Sequence, residues 1–257
     1  MEQAHEIAPL DRAAIAYHDL GPRDGVPVIL IHGFASNARV NWLSTGWTKL
    51  LTDAGYRVVA IDNRGHGHSS KFYEPADYGP DIFADDVIAL MDHLDIAAAH
   101  VIGYSMGGRI TSWLAYARPE RLLSATIGGM GANIGGRGGY ERVADALLAE
   151  DPDAIEDRGA LSFRRFADTT GADRKALAAC IMPSNTRITP EIVSAISVPV
   201  LVVVGSLDEI AGPAEPLADM IRDGEAVTLP GFDHMKAVGA PGFKAAALDF
   251  LKRHDPR

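Results

Sequence analysis

Gly103-Tyr104-Ser105-Met106-Gly107 decides the reading of this chain. The β-branched run His100-Val101-Ile102 precedes it, and the helix-spaced stretch Met106 to Ala117, closed by Pro119, follows. Glycine-x-serine-x-glycine is a weak signal alone, because the chain has 26 glycines. Its setting makes it specific: a strand must end and a helix begin around the serine, and both do. Such a turn lifts the hydroxyl above the sheet edge, and Gly103 and Gly107 lack the side chains that would keep strand and helix apart. Gly108 extends the same small-residue surface. The helix then aims its positive N-terminal end at the reacting centre, where anionic charge develops.

Outward from the turn, short apolar runs alternate with helical patterns. Strands are read at Pro27–Ile31, Tyr56–Ile61, His100–Ile102, Leu123–Ile127, Val198–Val204 and Ala226–Leu229. Their unbroken apolar character marks parallel strands covered on both faces. The segment Ala13–Tyr17 reads as an antiparallel edge, and helices are expected at Asp81–Leu94 and Phe243–Leu251. The alternation predicts an α/β architecture with a mostly parallel, doubly wound sheet. From Asn133 to Pro190 the strand signal stops. Helical patterns at Glu141–Ala149, Ala154–Phe166 and Ala172–Ile181 lie between a glycine cluster (Gly135, Gly136, Gly138, Gly139) and Pro183 and Pro190. The expected division is a core over 1–132, a helical cap over 133–190 and the rest of the core over 191–257.

A serine hydroxyl needs a base, and the base needs an orienting acid. Two histidines follow Ser105. His254 stands among charged residues near the end of the sequence, whereas His234 sits in the turn Gly231-Phe232-Asp233-His234, just past a strand ending at Leu229. Loops after strand ends are where such sheets place their chemistry. Asp208 is the first acid beyond the Val200–Val204 strand, with Glu209 its nearest competitor. The exit of the preceding strand, Gly128-Gly129-Met130-Gly131, offers no acid. The expected triad is therefore Ser105, His234 and Asp208. His32-Gly33-Phe34 follows the first parallel strand, so the backbone amides of Phe34 and Met106 are the expected oxyanion donors. His32 reads as a structural partner of that loop.

Composition sets limits. A chain of 257 residues with a hydrophobic fraction of 47% can bury a full core without staples. One cysteine, Cys180, allows no intrachain disulfide, fits a reducing compartment and reads as packing. The formal charge of −10 argues against nucleic acid as a partner. Met1–Leu20 lacks the basic flank and apolar run of a secretory leader, and no apolar stretch approaches the length needed to span a bilayer. The expectation is a cytoplasmic protein acting on a small molecule, away from nucleic acid and membrane, with no metal site.

Asp62-Asn63-Arg64-Gly65-His66-Gly67-His68-Ser69 resembles the D-x-R-G-x-G-x-S loop common among α/β-hydrolases related to epoxide hydrolases and bacterial esterases. Together with His32-Gly33-Phe34, Gly103–Gly108, Asp208 and Gly231–His234, the resemblance spans almost the whole chain outside the cap. It implies the α/β-hydrolase fold, a covalent acyl-enzyme and no cofactor. It also implies a structural role for the Asp62–Ser69 loop, His66 and His68 included. Ser105 departs from the aspartate of epoxide hydrolases and haloalkane dehalogenases, which disfavours those reactions. Cleavage of a carboxylic ester or lactone of a small-to-medium substrate is the expected activity. Carbon–carbon bond hydrolysis, enol-lactone hydrolysis and cofactor-free perhydrolysis share the same motifs, and a ligand receptor on this scaffold is the non-enzymatic alternative. Trp42, Tyr104 and Met130 are the expected substrate contacts, with Met106 a further wall residue. Arg137, Arg142, Arg164 and Arg165 are candidate partners for a substrate carboxylate, set against the simpler reading as a solvated helix surface.

Overall fold

The computed structural model describes residues 5–136, 138–182 and 186–257. Arg137 and Pro183, both singled out in the sequence, lie outside them. The elements run β1 (Glu6–Pro9), β2 (Ala14–Leu20), β3 (Pro27–Ile31), α1 (Trp47–Asp53), β4 (Arg57–Ile61), α2 (Pro80–His93), β5 (Ala99–Tyr104), α3 (Met106–Ala117) and β6 (Leu122–Gly128). They continue with α4 (Tyr140–Leu148), α5 (Arg158–Thr170), α6 (Arg174–Ile181), α7 (Pro190–Ser194), β7 (Val200–Gly205), α8 (Glu215–Ala218), β8 (Gly224–Leu229), α9 (His234–Ala237) and α10 (Pro241–Arg253).

The eight strands form one sheet in the order β1-β2-β4-β3-β5-β6-β7-β8. β1 and β2 are antiparallel and the rest parallel. Ala13–Tyr17 was expected at the edge; instead β2 pairs on both sides, and β1 is the outer strand. Four residues ending in Pro9, mostly exposed, give β1 no apolar run to read.

Side chains of successive strand residues point to opposite faces, and the core divides accordingly. Ile29, Ile31, Val59, Ile61, Val101 and Val202 pack on one side with α2 and α3. Val28, Leu30, Val58, Ala60, Ile102 and Leu201 pack on the other with α1 and α10. Both faces being covered is why the strands read as continuous apolar runs.

Helix limits follow local chemistry. α2 starts with Pro80, where a missing N–H costs nothing. α5 and α6 are capped by Asp157 and Asp173, whose carboxylates accept amides of the first turn. The expected helix from Ala154 begins four residues later, because Pro152–Ala154 forms a separate short turn. The helices between β6 and β7 cover the β3 exit loop: Leu147, Ala167 and Leu177 pack with Phe34 and Ala35, and Thr170 donates to the Ala35 carbonyl at 2.9 Å. No helix among the described residues is long and apolar enough to cross a membrane.

The Asp62–Ser69 loop is pinned from several sides. Asp62 accepts the amides of Ala38 and His68, both at 2.8 Å, and a β-carbon at Gly67, where φ is +46°, would collide with its carboxylate. Arg64 forms a two-pronged pair with buried Asp86, at 2.6 and 2.7 Å. Burial pushes the Asp86 carboxyl above its ordinary range despite that guanidinium. Removing one member of such a pair leaves a buried charge unanswered. Asp86→Ala is expected to cost about 3–5 kcal/mol of stability in urea denaturation; a loss below about 1 kcal/mol would show that water reaches the pair.

Candidate functional site

The β5–α3 turn brings Ser105 to the sheet edge. Its backbone sits at φ +55°, ψ −113°, a conformation L-residues rarely adopt. The surroundings force it. A β-carbon at Gly103 would collide with the Gly107 carbonyl, and one at Gly107 with the Ile31 carbonyl. Only glycine lets α3 close on β5 and β3 here. The Ser105 amide donates to the Gly128 carbonyl at 2.8 Å, and the Ser105 carbonyl accepts from Gly108 at 2.9 Å.

Register brings the other loops alongside. Ile31 pairs with Gly103, and Gly205 with Leu229, so the exits of β3, β5, β7 and β8 open on one edge. His234 Nε2 accepts the Ser105 hydroxyl at 2.9 Å, and its Nδ1–H donates to Asp208 Oδ2 at 2.7 Å. The other carboxylate oxygen accepts the amides of Ile210 and Ala211, at 3.0 and 2.9 Å. Asp208 is thus fully buried and fully bonded, while Glu209 is exposed. Tyr104 donates its hydroxyl to the His234 carbonyl at 2.5 Å, holding the α9 loop against β5. Burial drives that phenol well above its ordinary range, so it stays a donor. His254, the other histidine after Ser105, packs against Phe250, the rings tilted by 58° with centres 4.6 Å apart.

The β3 exit loop presses on the serine. A β-carbon on Gly33 would lie 3.3 Å from that of Ser105, and Phe34, the next residue, lines both cavities at the serine. Met106 opens α3, so its amide has no acceptor one turn back. The loop is braced by neutral His32: its Nδ1–H donates to the Gly33 carbonyl at 2.7 Å, and Nε2 accepts the Asn63 amide at 3.0 Å. His66 lies beneath, its ring edge-on to Phe34 at 5.9 Å.

Two cavities meet at Phe34, Ser105 and Phe163. The larger, about 510 Å³, is walled by Met106, Met130, Cys180 and the glycines after Ile134. The smaller, about 160 Å³, is walled by Tyr104, His234, Met235 and Val238. Tyr104 and Met130 therefore stand where substrate contacts were expected. Trp42 does not: it is wholly buried, edge-on to Trp47 at 5.6 Å, and borders neither cavity. Its helical turn carries the indole into the core between α1 and the sheet, and Asn41 faces the site, accepting the Gly33 amide at 3.2 Å. Cys180 is a wall residue whose thiol burial pushes well up, 4.0 Å from the Met106 sulfur. Arg142 and Arg164 pair with Asp157 and Asp168, at 3.0 and 2.9 Å, and Arg165 reaches Asp153 at 4.0 Å. Sequence reasoning passed over two arginines that do line the large cavity, Arg109 and Arg187. The one available signal was spacing: Arg109 falls one helical turn after the serine. Among the described residues no three His, Cys, Asp or Glu cluster as metal ligands would.

A family model described as the alpha/beta hydrolase fold matches residues 26–130. The chain is 31% identical over 268 residues to the dihydrolipoyllysine-residue acetyltransferase component of the acetoin cleaving system of Pseudomonas putida, covering 98% of this chain and 70% of that protein. It is 31% identical over 219 residues to 3-oxoadipate enol-lactonase 2 of Acinetobacter baylyi, covering 79% of each. A non-heme chloroperoxidase of Streptomyces lividans is 38% identical over 122 residues, with only 42% of its length spanned. Among solved structures, a hydrolase from Pseudomonas aeruginosa superposes with a TM-score of 0.80 at 26% identity, over 96% of this chain and 98% of that one.

Two further histidines are buried in the sheet and its loops: His66 behind the β3 exit, and His100 at the far end of β5 from Ser105. Burial, helped by neighbouring His32, lowers His66 to about 3, and burial lowers His100 to about 4. Below pH 6.5 the unfolded chain takes up protons that these folded imidazoles refuse, so stability falls with falling pH. The loss from both accrues from about pH 6.5 to 4, and from His66 alone down to about 3, at up to about 1.4 kcal/mol per group per pH unit. Urea midpoints measured from pH 7 to 5 should decline accordingly, with the ¹⁵N imidazole signals of His66 and His100 still neutral at pH 5. Titration of either ring near 6.5 would contradict the burial.

Proposed function

The chain belongs to the α/β-hydrolase fold family, and on that premise we propose that it is a serine hydrolase cleaving a carboxylic ester or lactone through an acyl-enzyme. One observation carries the reading: an unbroken hydrogen-bond relay from the Ser105 hydroxyl through His234 to Asp208, at 2.9 and 2.7 Å. In the first step His234 takes the serine proton as Oγ attacks the carbonyl carbon. Asp208 holds the imidazole in the tautomer with Nε2 free and stabilises the imidazolium without taking its proton. The carbonyl oxygen gains charge between the amides of Phe34 and Met106, donors typically worth a few kcal/mol each. His234 then protonates the leaving alkoxide, and water repeats the sequence to free the acid and Ser105.

The cavities give the substrate a direction. The leaving oxygen must lie near His234, which borders the small cavity, so the alcohol portion lies there. The acyl portion extends into the larger cavity under the helices of the 133–190 cap. Its volume suits a small-to-medium acyl group. A lactone is the second reading. It is favoured by the enol-lactonase likeness, which covers 79% of both chains; there the leaving enolate stays tethered to the acyl chain.

Ser105→Ala should lower turnover of p-nitrophenyl butyrate by at least about 10³-fold with the thermal midpoint held. A fluorophosphonate should label the parent protein and not the variant. Near-normal turnover in Ser105→Ala would remove the assignment, and an unlabelled parent would favour a receptor with a silent site.

A further inference from the structure

The large cavity carries charge that acyl transfer leaves unused. Arg109 follows Ser105 by four residues on α3, so it shares that helix face about 6 Å further along the axis. It lines the cavity together with Arg187 and Glu141. The Arg109 Nε is buried without a hydrogen-bond partner among the described residues. The wall beside its guanidinium is glycine backbone and the Tyr140 hydroxyl: Gly135, Gly136, Gly138, Gly139 and Tyr140 all border the cavity, and both Arg109 Nη2 and the Tyr140 oxygen lie within 4 Å of where a β-carbon of Gly136 would stand. Gly136, Gly138 and Gly139 take φ of +96°, +79° and +80°, so the chain there is shaped for glycine; a β-carbon at Gly136 would collide with the Tyr140 hydroxyl, whereas one at Gly138 would meet nothing. The cap arginines behave differently; Arg142 and Arg164 already hold aspartates.

A guanidinium keeps its charge at every pH a protein meets. Donors held away from water without a partner are costly, and a carboxylate arriving in the plane of the fork satisfies two at once. Glu141 is the opposing charge, at the exposed start of α4, so among the described residues the three charged ones in the lining sum to a net positive wall in a protein of net charge −10. We infer that Arg109, with Arg187 on the same cavity, forms an anion subsite, and that the substrate is an ester or lactone bearing a carboxylate a few carbons from the reacting carbonyl. The inference takes the large cavity as the acyl side, and so rests on the hydrolase reading above.

Two measurements decide it. In the first, Ser105→Ala protein, which keeps the cavity without turnover, is titrated calorimetrically with monomethyl glutarate and with dimethyl glutarate. The monoanion should bind at least about tenfold more tightly, added salt should erode that preference, and Arg109→Gln in the same background should abolish it. No measurable binding of the monoester, equal affinity for both esters, or a preference that survives Arg109→Gln overturns the subsite. In the second, p-nitrophenyl hydrogen glutarate is compared with its neutral methyl ester. The ratio of their kcat/KM values should favour the anion in the parent and fall by at least about 30-fold in Arg109→Gln, with Arg109→Lys between the two. An unchanged ratio also overturns it. Taking a ratio cancels any general damage to the fold. If neither ester is turned over and Ser105 stays unlabelled by the fluorophosphonate, the hydrolase reading fails on its own, and the titration still decides the subsite.

Discussion

Gly107 packs so closely on the Ile31 carbonyl, and Gly103 on that of Gly107, that no side chain fits at either place. The rest of the site hangs on this contact. It fixes the end of β5 against the end of β3 and turns the chain so sharply that Ser105 takes a positive φ. The same closeness sets Gly33 against the serine, at the start of the loop that carries Phe34. Strain of this kind persists only where its surroundings over-determine it. Here a parallel strand on each side and a helix rooted at the turn do so.

A second consequence lies one strand away. Gly128 and Gly129, at the exit of β6, leave a slot that the Tyr104 ring fills; a β-carbon at either would press on that ring. The slot explains why no acid stands at that exit. The ring's hydroxyl reaches across to the His234 carbonyl, so one residue of the serine turn also steadies the histidine loop. Asp208 enters from β7 instead, with one oxygen tied to two amides and the other left for the imidazole. The site is thus assembled from four strand ends whose spacing the sheet register already sets.

Much of this was legible in the residues, for a physical reason. Parallel strands buried on both faces leave apolar runs, and loops after such strands are where isolated Ser, Asp and His stand out; hence the sheet, Ser105, Asp208 and His234 could be read. Trp42 could not be placed. A tryptophan eight residues past Phe34 is equally at home in a pocket wall or a core, and only the turn of its helix sends it inward against Trp47. β1 was missed because an outer strand of four residues needs no apolar alternation. Arg109 was missed because an arginine in the second turn of a helix reads as solvated surface; its setting depends on a glycine-rich loop more than 20 residues downstream folding over it.

The polar groups beneath the site show how the chain separates chemistry from support. His32, His66 and His100 are buried and stay neutral, because a charge at those depths would have no water and no adequate counter-ion. Neutrality is what lets His32 give one hydrogen bond and take another, bridging the β3 exit to Asn63. A protonated ring would lose its acceptor and, with it, one brace of the loop carrying the Phe34 amide. His234 differs in its neighbours: a buried carboxylate on one nitrogen and a hydroxyl on the other. An imidazolium formed there has a counter-charge waiting. Of these four histidines three hold shape as neutral rings because they are buried, while His234 stands between a carboxylate and a hydroxyl.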